Sequence, residues 1–285
     1  HSILPQKLWL MNVLPAWEIQ MPVIIRYSTD FDVNQSPSDM NILETEWTNY
    51  YAAVYRCNEL LAHESQIAWS SEETKGTYLG ECRAIRALCY FDMVRMWGNI
   101  PLFTEPVNEN RPQSDPDEVY NVIFSDLLYA VNNIPASAYP KSAAASNDGH
   151  ITKYAASALL ARVYLFYTGY YGKEPQVEGV TKSTVLQGLE DFIAVAESEG
   201  YGLVDEFKNL WPAASTTWAL NKSTDDYEQT STYAGDGNKE VVLAQKFTIL
   251  KTITETMMVT AGWLTWDYVT IWDMHLTEEA GEDVQ

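Results

Sequence analysis

Cationic side chains are scarce in this sequence. Lysine and arginine total 18 against 39 aspartates and glutamates, a formal net charge of −21 over 285 residues. Duplex nucleic acid needs a basic footprint and anionic lipid attracts the same sign, so neither a nucleic-acid partner nor electrostatic docking on a membrane surface is expected. Cysteine is scarce as well, and the three present, Cys57, Cys82 and Cys89, give an odd count that sets up no disulfide framework. Cys82 and Cys89, seven apart on one helix, lie roughly 10 Å apart at 1.5 Å per residue, too far to bridge. All three read as small buried hydrophobes. The four histidines, His1, His63, His150 and His275, show no H-x-x-x-H spacing, and no C-x-x-C occurs. Asp30, Asp32 and Asn34 open like a calcium loop, but Gln35 stands where glycine is needed and Asn41 where glutamate is needed, so a solvated acidic turn is expected and no metal. No G-x-S-x-G, Walker loop or H-E-x-x-H is present. No catalytic residue and no cofactor are therefore assigned. The longest nearly apolar run, 154–171, carries Arg162 in its middle and reads as a buried helix, not a membrane span. No basic start, apolar stretch and small-residue cleavage site occur in order, and the chain is expected to be a piece of a longer precursor.

What is abundant is apolar and aromatic. Hydrophobic residues make up 46 % and aromatics 13 %, with 10 Trp and 18 Tyr, more than a core needs and suggestive of surfaces that stack on a ligand. The pattern is mostly helical. Residues 42–63 and 151–168 read as helices. Ser70 and Glu73 form a capping box opening a helix to Trp97. Asp115, Pro116 and Glu118 open a helix that should stop at about Asn133, before Pro135. Another runs from about Lys182 to Ser198, with Gly200 beyond its end. Glu240–Phe247 (EVVLAQKF) reads as a strand. The proline-rich stretch 98–116, residues 138–150 and the polar run 212–239 read as long irregular loops.

At roughly 100° per residue, helix 78–97 shows two apolar strips, Cys82, Ile85, Cys89, Met93 and Met96 on one side and Ala84, Ala87, Phe91 and Val94 nearly opposite. Arg83 and Arg86 lie on one flank between them, and Glu81, Asp92 and Arg95 on the other. A helix of this kind is expected to be packed from both sides, as in a layered helical stack. Its pattern also recurs: Ala84, Ala87, Tyr90, Trp97 and Gly98 return 74 residues later as Ala158, Ala161, Tyr164, Tyr171 and Gly172. That offset is close to two tetratricopeptide units of about 34 residues with a slightly long connection.

Residues 81–106, ECRAIRALCYFDMVRMWGNIPLFTEP, resemble the signature of the SusD/RagB family in Glu81, Arg83, Arg86, Ala87, Tyr90, Phe91, Val94, Gly98, Pro101, Leu102 and Pro106. Residues 119–135 and 149–172 are similar to its next two helices, 47–61 to its helix ending in an asparagine before Leu-Leu (here Asn58), and 238–247 to the segment after the helical half. The resemblance covers about residues 45–250. It implies a mostly α fold, a tetratricopeptide-like stack of helical hairpins with long irregular loops and minor β structure. It further implies a non-catalytic, lipid-anchored protein of the outer membrane, facing the cell surface, that serves polysaccharide utilisation and nutrient uptake. Such a protein binds oligosaccharide or polysaccharide and passes it to a SusC-like TonB-dependent transporter. The lipid-bearing cysteine and much of the family's C-terminal half have no counterpart here.

Three regions are expected: an irregular or helical segment 1–41 that is a candidate to face ligand, a scaffold 42–211, and the start of a variable ligand-binding part, 212–285. Glu81, Arg83, Arg86, Tyr90, Gly98 and Pro101 are expected to be structural, with the two arginines paired to Glu81, Asp92 or Asp126, because a buried guanidinium requires an acceptor. Sugar rings need flat apolar faces, and Trp263, Trp266, Tyr268 and Trp272, with Trp218 and Tyr233 on the polar loop, are the candidate platforms. A peptide ligand within the same family is the first alternative. A tetratricopeptide scaffold for protein partners is the second, and a glycoside hydrolase the third, since that chemistry needs two carboxylates about 5–10 Å apart and no motif marks a pair.

Overall fold

The computed structural model describes residues 42–143, 149–221, 226–235 and 237–244. Among the described residues five helices carry the body: α1 Ile42–Ala62, α2 Glu72–Trp97, α3 Pro116–Asn133, α4 Lys153–Tyr171 and α5 Lys182–Val195. A single turn, α6 Pro212–Ser215, leads into an antiparallel hairpin of β1 Thr216–Asn221 and β2 Asp226–Ser231, registered from Thr216↔Ser231 to Asn221↔Asp226. The mostly helical architecture is the one the sequence predicts. No described helix is long and apolar enough to cross a membrane.

Local chemistry sets most of the boundaries. Asp115 Oδ1 accepts from the Asp117 N–H at 2.9 Å, Pro116 takes the first helical position, and α3 ends at Asn133 ahead of Pro135, as expected. Thr152 caps α4 by accepting from Ala155 N–H, and Gly172 ends it at φ +64°. Thr181 and Thr184 form a reciprocal capping box on α5. At α2 the cap lies one residue later than expected. Ser71 Oγ accepts from the Thr74 N–H at 3.0 Å, and Glu73 accepts from Ser137 Oγ.

The described residues gather into two compact units, one within 42–70 and 82–126, the other within 71–81 and 127–244. In the first, Val54 and Cys57 of α1, the 82–94 stretch of α2, and Val119, Tyr120, Ile123 and Phe124 of α3 form the core. Each large side chain taken fully from water contributes about 1.5–3 kcal/mol. The three cysteines all lie in this core.

The two-strip reading of α2 needs correction. Ala84, Ala87, Phe91 and Val94 are buried as expected, but Ile85 and Met96 are 39 % and 49 % exposed. The flank carrying Arg86 is turned inward with Leu79 and Tyr90. The helix therefore buries one continuous arc roughly 200° wide, at 100° per residue, that includes a charge.

In the second unit, the start of α2 lies close against the end of α3. A Cβ at Gly76 would meet the Asn133 carbonyl oxygen at 2.5 Å, and one at Gly80 would meet Ile134 at 2.5 Å. Tyr154 of α4 stacks on Phe192 of α5 at 4.8 Å, with Tyr201 edge-on to both. The expected strand at 240–247 does not form over its described part, 240–244. That segment is tied down as a loop: Glu240 accepts from Val204 N–H, Lys141 Nζ donates to the Val241 carbonyl, and Gly202 N–H donates to the Lys239 carbonyl. The β structure lies instead inside the polar run 212–239.

Candidate functional site

The first unit contains a continuous polar relay that ends in a loop. Asp126 of α3 is 1 % exposed and takes a two-pronged pair from Arg86, Nε to Oδ2 and Nη2 to Oδ1, each 2.8 Å. Arg83 Nη1 adds a contact at 3.1 Å. Burial alone would pull down the proton affinity of the Arg86 guanidinium, but the Asp126 hydrogen bonds and charge outweigh it and hold it above its usual value. The third prong, Nη1, donates to Asn58 Oδ1 of α1 at 2.6 Å. With its oxygen so fixed, the Asn58 amide nitrogen donates to the carbonyls of Phe103 and Glu105, at 3.0 and 3.2 Å.

Two tyrosines hold the same loop. Tyr90 OH donates to the Phe103 carbonyl at 2.7 Å and accepts from the Phe103 N–H at 2.9 Å. Tyr51 OH donates to the Pro101 carbonyl at 2.8 Å. Burial raises both phenols, Tyr90 to about 12 and Tyr51 further, so both are neutral donors across the physiological range. Ser114 N–H donates to the Ile100 carbonyl at 2.9 Å and closes the loop at its base.

Held in this way, loop 98–111 and α1 enclose an open cleft of about 730 Å³. Its apolar lining is Trp47, Tyr51 and Tyr55 of α1 with Phe103 and Pro101 of the loop. Its polar lining is Arg56, Asn58, Glu105, Asn108, Glu109, Asn110 and Arg111. Trp47 stands edge-on to Trp97 at 5.1 Å, and Tyr51 edge-on to Phe103 at 5.6 Å. Arg111 lies 5.0 Å over the Phe103 ring and is set there by Glu109 at 2.6 Å and the Leu102 carbonyl at 3.2 Å. Concave aromatic walls carrying a few planar amides and charged groups suit a polyhydroxylated ring with one apolar face. The cleft is not among the candidates that the sequence suggests. Its signal is legible in retrospect: Trp47, Tyr51 and Tyr55 recur every fourth residue and so share one helix face.

Of the three candidate acids, Asp126 pairs with both arginines, and Glu81 and Asp92 engage other groups. Glu81 accepts from Tyr139 OH and Ile151 N–H in the second unit, with His150 Nδ1 at 2.7 Å. Asp92 pairs with Arg95 and accepts from Tyr50 OH at 3.3 Å. Gly98 adopts φ +71° and ends α2. Of the expected platforms, Trp218 is 58 % exposed on β1 opposite Gln229, and Tyr233 is half-buried just after β2. Trp263, Trp266, Tyr268 and Trp272 lie outside the described residues, as do Asp30, Asp32 and Asn34. Among the described residues no three His, Cys, Asp or Glu side chains gather as metal ligands.

Comparison with known proteins fits this geometry. Residues 20–165 match the SusD-like family described as starch-binding, associating with outer membrane. A SusD-like protein of Bacteroides ovatus is 31 % identical over 175 residues, 59 % of this chain and 30 % of its own length. SusD-like protein P25 of Formosa agariphila is 29 % identical over 144 residues, 48 % of this chain and 26 % of its own length. The crystal structure of a SusD-like protein from Bacteroides fragilis superposes with a TM-score of 0.50 at 24 % identity, covering 72 % of this chain and 34 % of that one, a likeness of fold. The chain thus spans about a third of the length of the relatives it matches. With its family match covering half its residues, its signature arginines locked on Asp126 and its helical stack of the same fold, the chain belongs to the SusD-like family.

Proposed function

We propose that this protein is a non-catalytic carbohydrate-capture protein of the outer-membrane surface, lipid-anchored in its full precursor, that hands oligosaccharide to a SusC-like TonB-dependent transporter. The observation that carries the reading is the cleft at 98–111, aromatic-walled and amide-rimmed, in a chain of a family described as starch-binding. Trp218 and Tyr233, with Trp263, Trp266, Tyr268 and Trp272, supply further stacking faces in the segment 212–285, which serves as the start of a variable binding part. The segment 1–41 is a second ligand-facing candidate, and 42–211 is the frame.

Weak binding suits the task. One aromatic platform covered by a sugar contributes about 1–2 kcal/mol, so two or three of them leave micromolar to millimolar affinity after association entropy is subtracted. A capture protein must also release its cargo. Affinity electrophoresis of the chain against a panel of starches, xylans, β-glucans and host glycans tests the proposal, with reducing-sugar release measured in parallel. Retardation by at least one glycan without release of sugar is the expected result. Accumulating product, or no retardation by any glycan, overturns it.

A further inference from the structure

Cys57 of α1 and Cys82 of α2 are not placed as two independent core fillers. Cys82 Sγ donates to the Cys57 carbonyl oxygen at 3.6 Å, which sets the two residues side by side across α1 and α2, and each thiol shifts the proton affinity of the other. Each residue is 7 % exposed. Cys89 is two turns further along the same helix and roughly 10 Å from Cys82 at 1.5 Å per residue, so it cannot compete for Cys82. The odd cysteine count thus resolves into one juxtaposed pair and one bystander. We propose that Cys57 and Cys82 close into a disulfide that staples α1 to α2 as the chain folds under oxidising conditions.

The chemistry balances with an ordinary disulfide as oxidant. Cys57 thiolate attacks one sulfur of the oxidant and expels the first oxidant thiol. Cys82 thiolate then attacks the Cys57 sulfur of the mixed disulfide and expels the second. Both protein thiols lose their protons, one electron pair passes to the oxidant, and one sulfur–sulfur bond forms for the one broken. The balance is the same if Cys82 attacks the oxidant first and Cys57 resolves the mixed disulfide. Both sulfurs are sealed in the folded core, so the exchange takes place before α1 and α2 finish packing. Such an oxidant is met on the way to an outer membrane, whose route leads through the periplasm; that setting rests on the proposed location, whereas the pairing itself does not. The staple would lie beside Asn58, the residue that holds the cleft loop.

The test refolds the denatured, reduced chain in a glutathione and glutathione-disulfide buffer, quenches with acid and counts thiols by maleimide labelling under denaturing conditions. One labelled thiol, an intact mass lower by about two hydrogens, and a peptide linking Cys57 to Cys82 are expected. A Cys89→Ser variant should keep the link and Cys57→Ser should lose it. Three labelled thiols, glutathione adducts only, or a link through Cys89 would each overturn the pairing. The refolding is done outside any cell, so failure to find the protein at an outer membrane would sink the proposed location without touching this result.

Discussion

Helices α2 and α4 carry the same pattern 74 residues apart and use it differently. Gly98 and Gly172 end them at φ +71° and +64°, each donating its N–H to the carbonyl four residues back. Ala84 and Ala87 are fully buried, Ala161 nearly so, and both Tyr90 and Tyr164 send their hydroxyls into the loop that follows. The contrast lies in what stands between. Where α2 has Arg83 and Arg86, α4 has Ser157 and Leu160. Where Tyr90 grips a loop backbone on both its N–H and its carbonyl, Tyr164 donates to the exposed carboxylate of Glu174 at 2.7 Å. The same helical pattern frames a tightly held loop in one case and an ordinary helix end in the other. A repeat therefore supplies the frame, and the charged substitution within it supplies the fixed loop that walls the cleft.

The contrast breaks most sharply at Arg86. Arg86→Leu, which gives α2 the residue of α4, leaves Asp126 buried with only Arg83 and should cost about 3–5 kcal/mol by urea unfolding. The double variant Arg86→Leu/Asp126→Leu should recover much of that, because the uncompensated charge is gone, while Asn58 still loses its orienting donor. Equal losses in the single and double variants would mean that the ion pair is not the source of the cost.

The tyrosines sharpen the same point. Tyr90→Phe strands the Phe103 N–H, leaves its carbonyl with the Asn58 amide as donor, and should cost about 1–3 kcal/mol, against about 1 kcal/mol or less for Tyr164→Phe. Gly98→Ala and Gly172→Ala should behave alike, each losing about 1 kcal/mol, because each forces a Cβ into the left-handed region. The smallest effect is electrostatic. Burial raises Tyr90 to about 12, whereas the hydrogen bond to Glu174 is the first cause raising Tyr164 to about 12. Both favour the protonated phenol in the folded state, so their contribution is complete below pH ~10 and fades as pH climbs to ~12. In a phenolate absorbance titration, Glu174→Gln should bring Tyr164 down and leave Tyr90 unmoved.

Much of the fold is legible in the sequence because it is local. Asp115, Pro116 and Pro135 fix α3 with chemistry contained in a few residues, and Gly98 and Gly172 mark two helix ends the same way. The SusD-like signature is a long contiguous string. The misreadings needed partners far away. The sequence leaves open which acid holds the buried Arg86, since Asp126 is 40 residues off. The strand expected at 240–247 is, over its described part 240–244, held as a loop by Lys141 and Val204. The hairpin at 216–231 hid among threonines and serines, whose cross-strand pairing, such as Thr217 Oγ1 to Thr230 Oγ1 at 2.7 Å, exists only once the strands meet. The cleft hid in the aromatic stripe of α1, whose opposite wall comes from a loop some 45 positions later, as the bond from Asn58 to Phe103 spans.

The most direct test titrates one retained glycan into the native chain, Tyr55→Ala and Trp218→Ala by calorimetry, with a thermal melt of each protein. Tyr55 is 41 % exposed on the cleft wall and Trp218 is exposed on the hairpin, so both melts should stay cooperative and near the native value. If the loop held by Asp126, Arg86 and Asn58 walls a saccharide site, Tyr55→Ala weakens binding roughly 5- to 30-fold, the loss of one aromatic platform. Native affinity in a Tyr55→Ala protein that still melts cooperatively would contradict it.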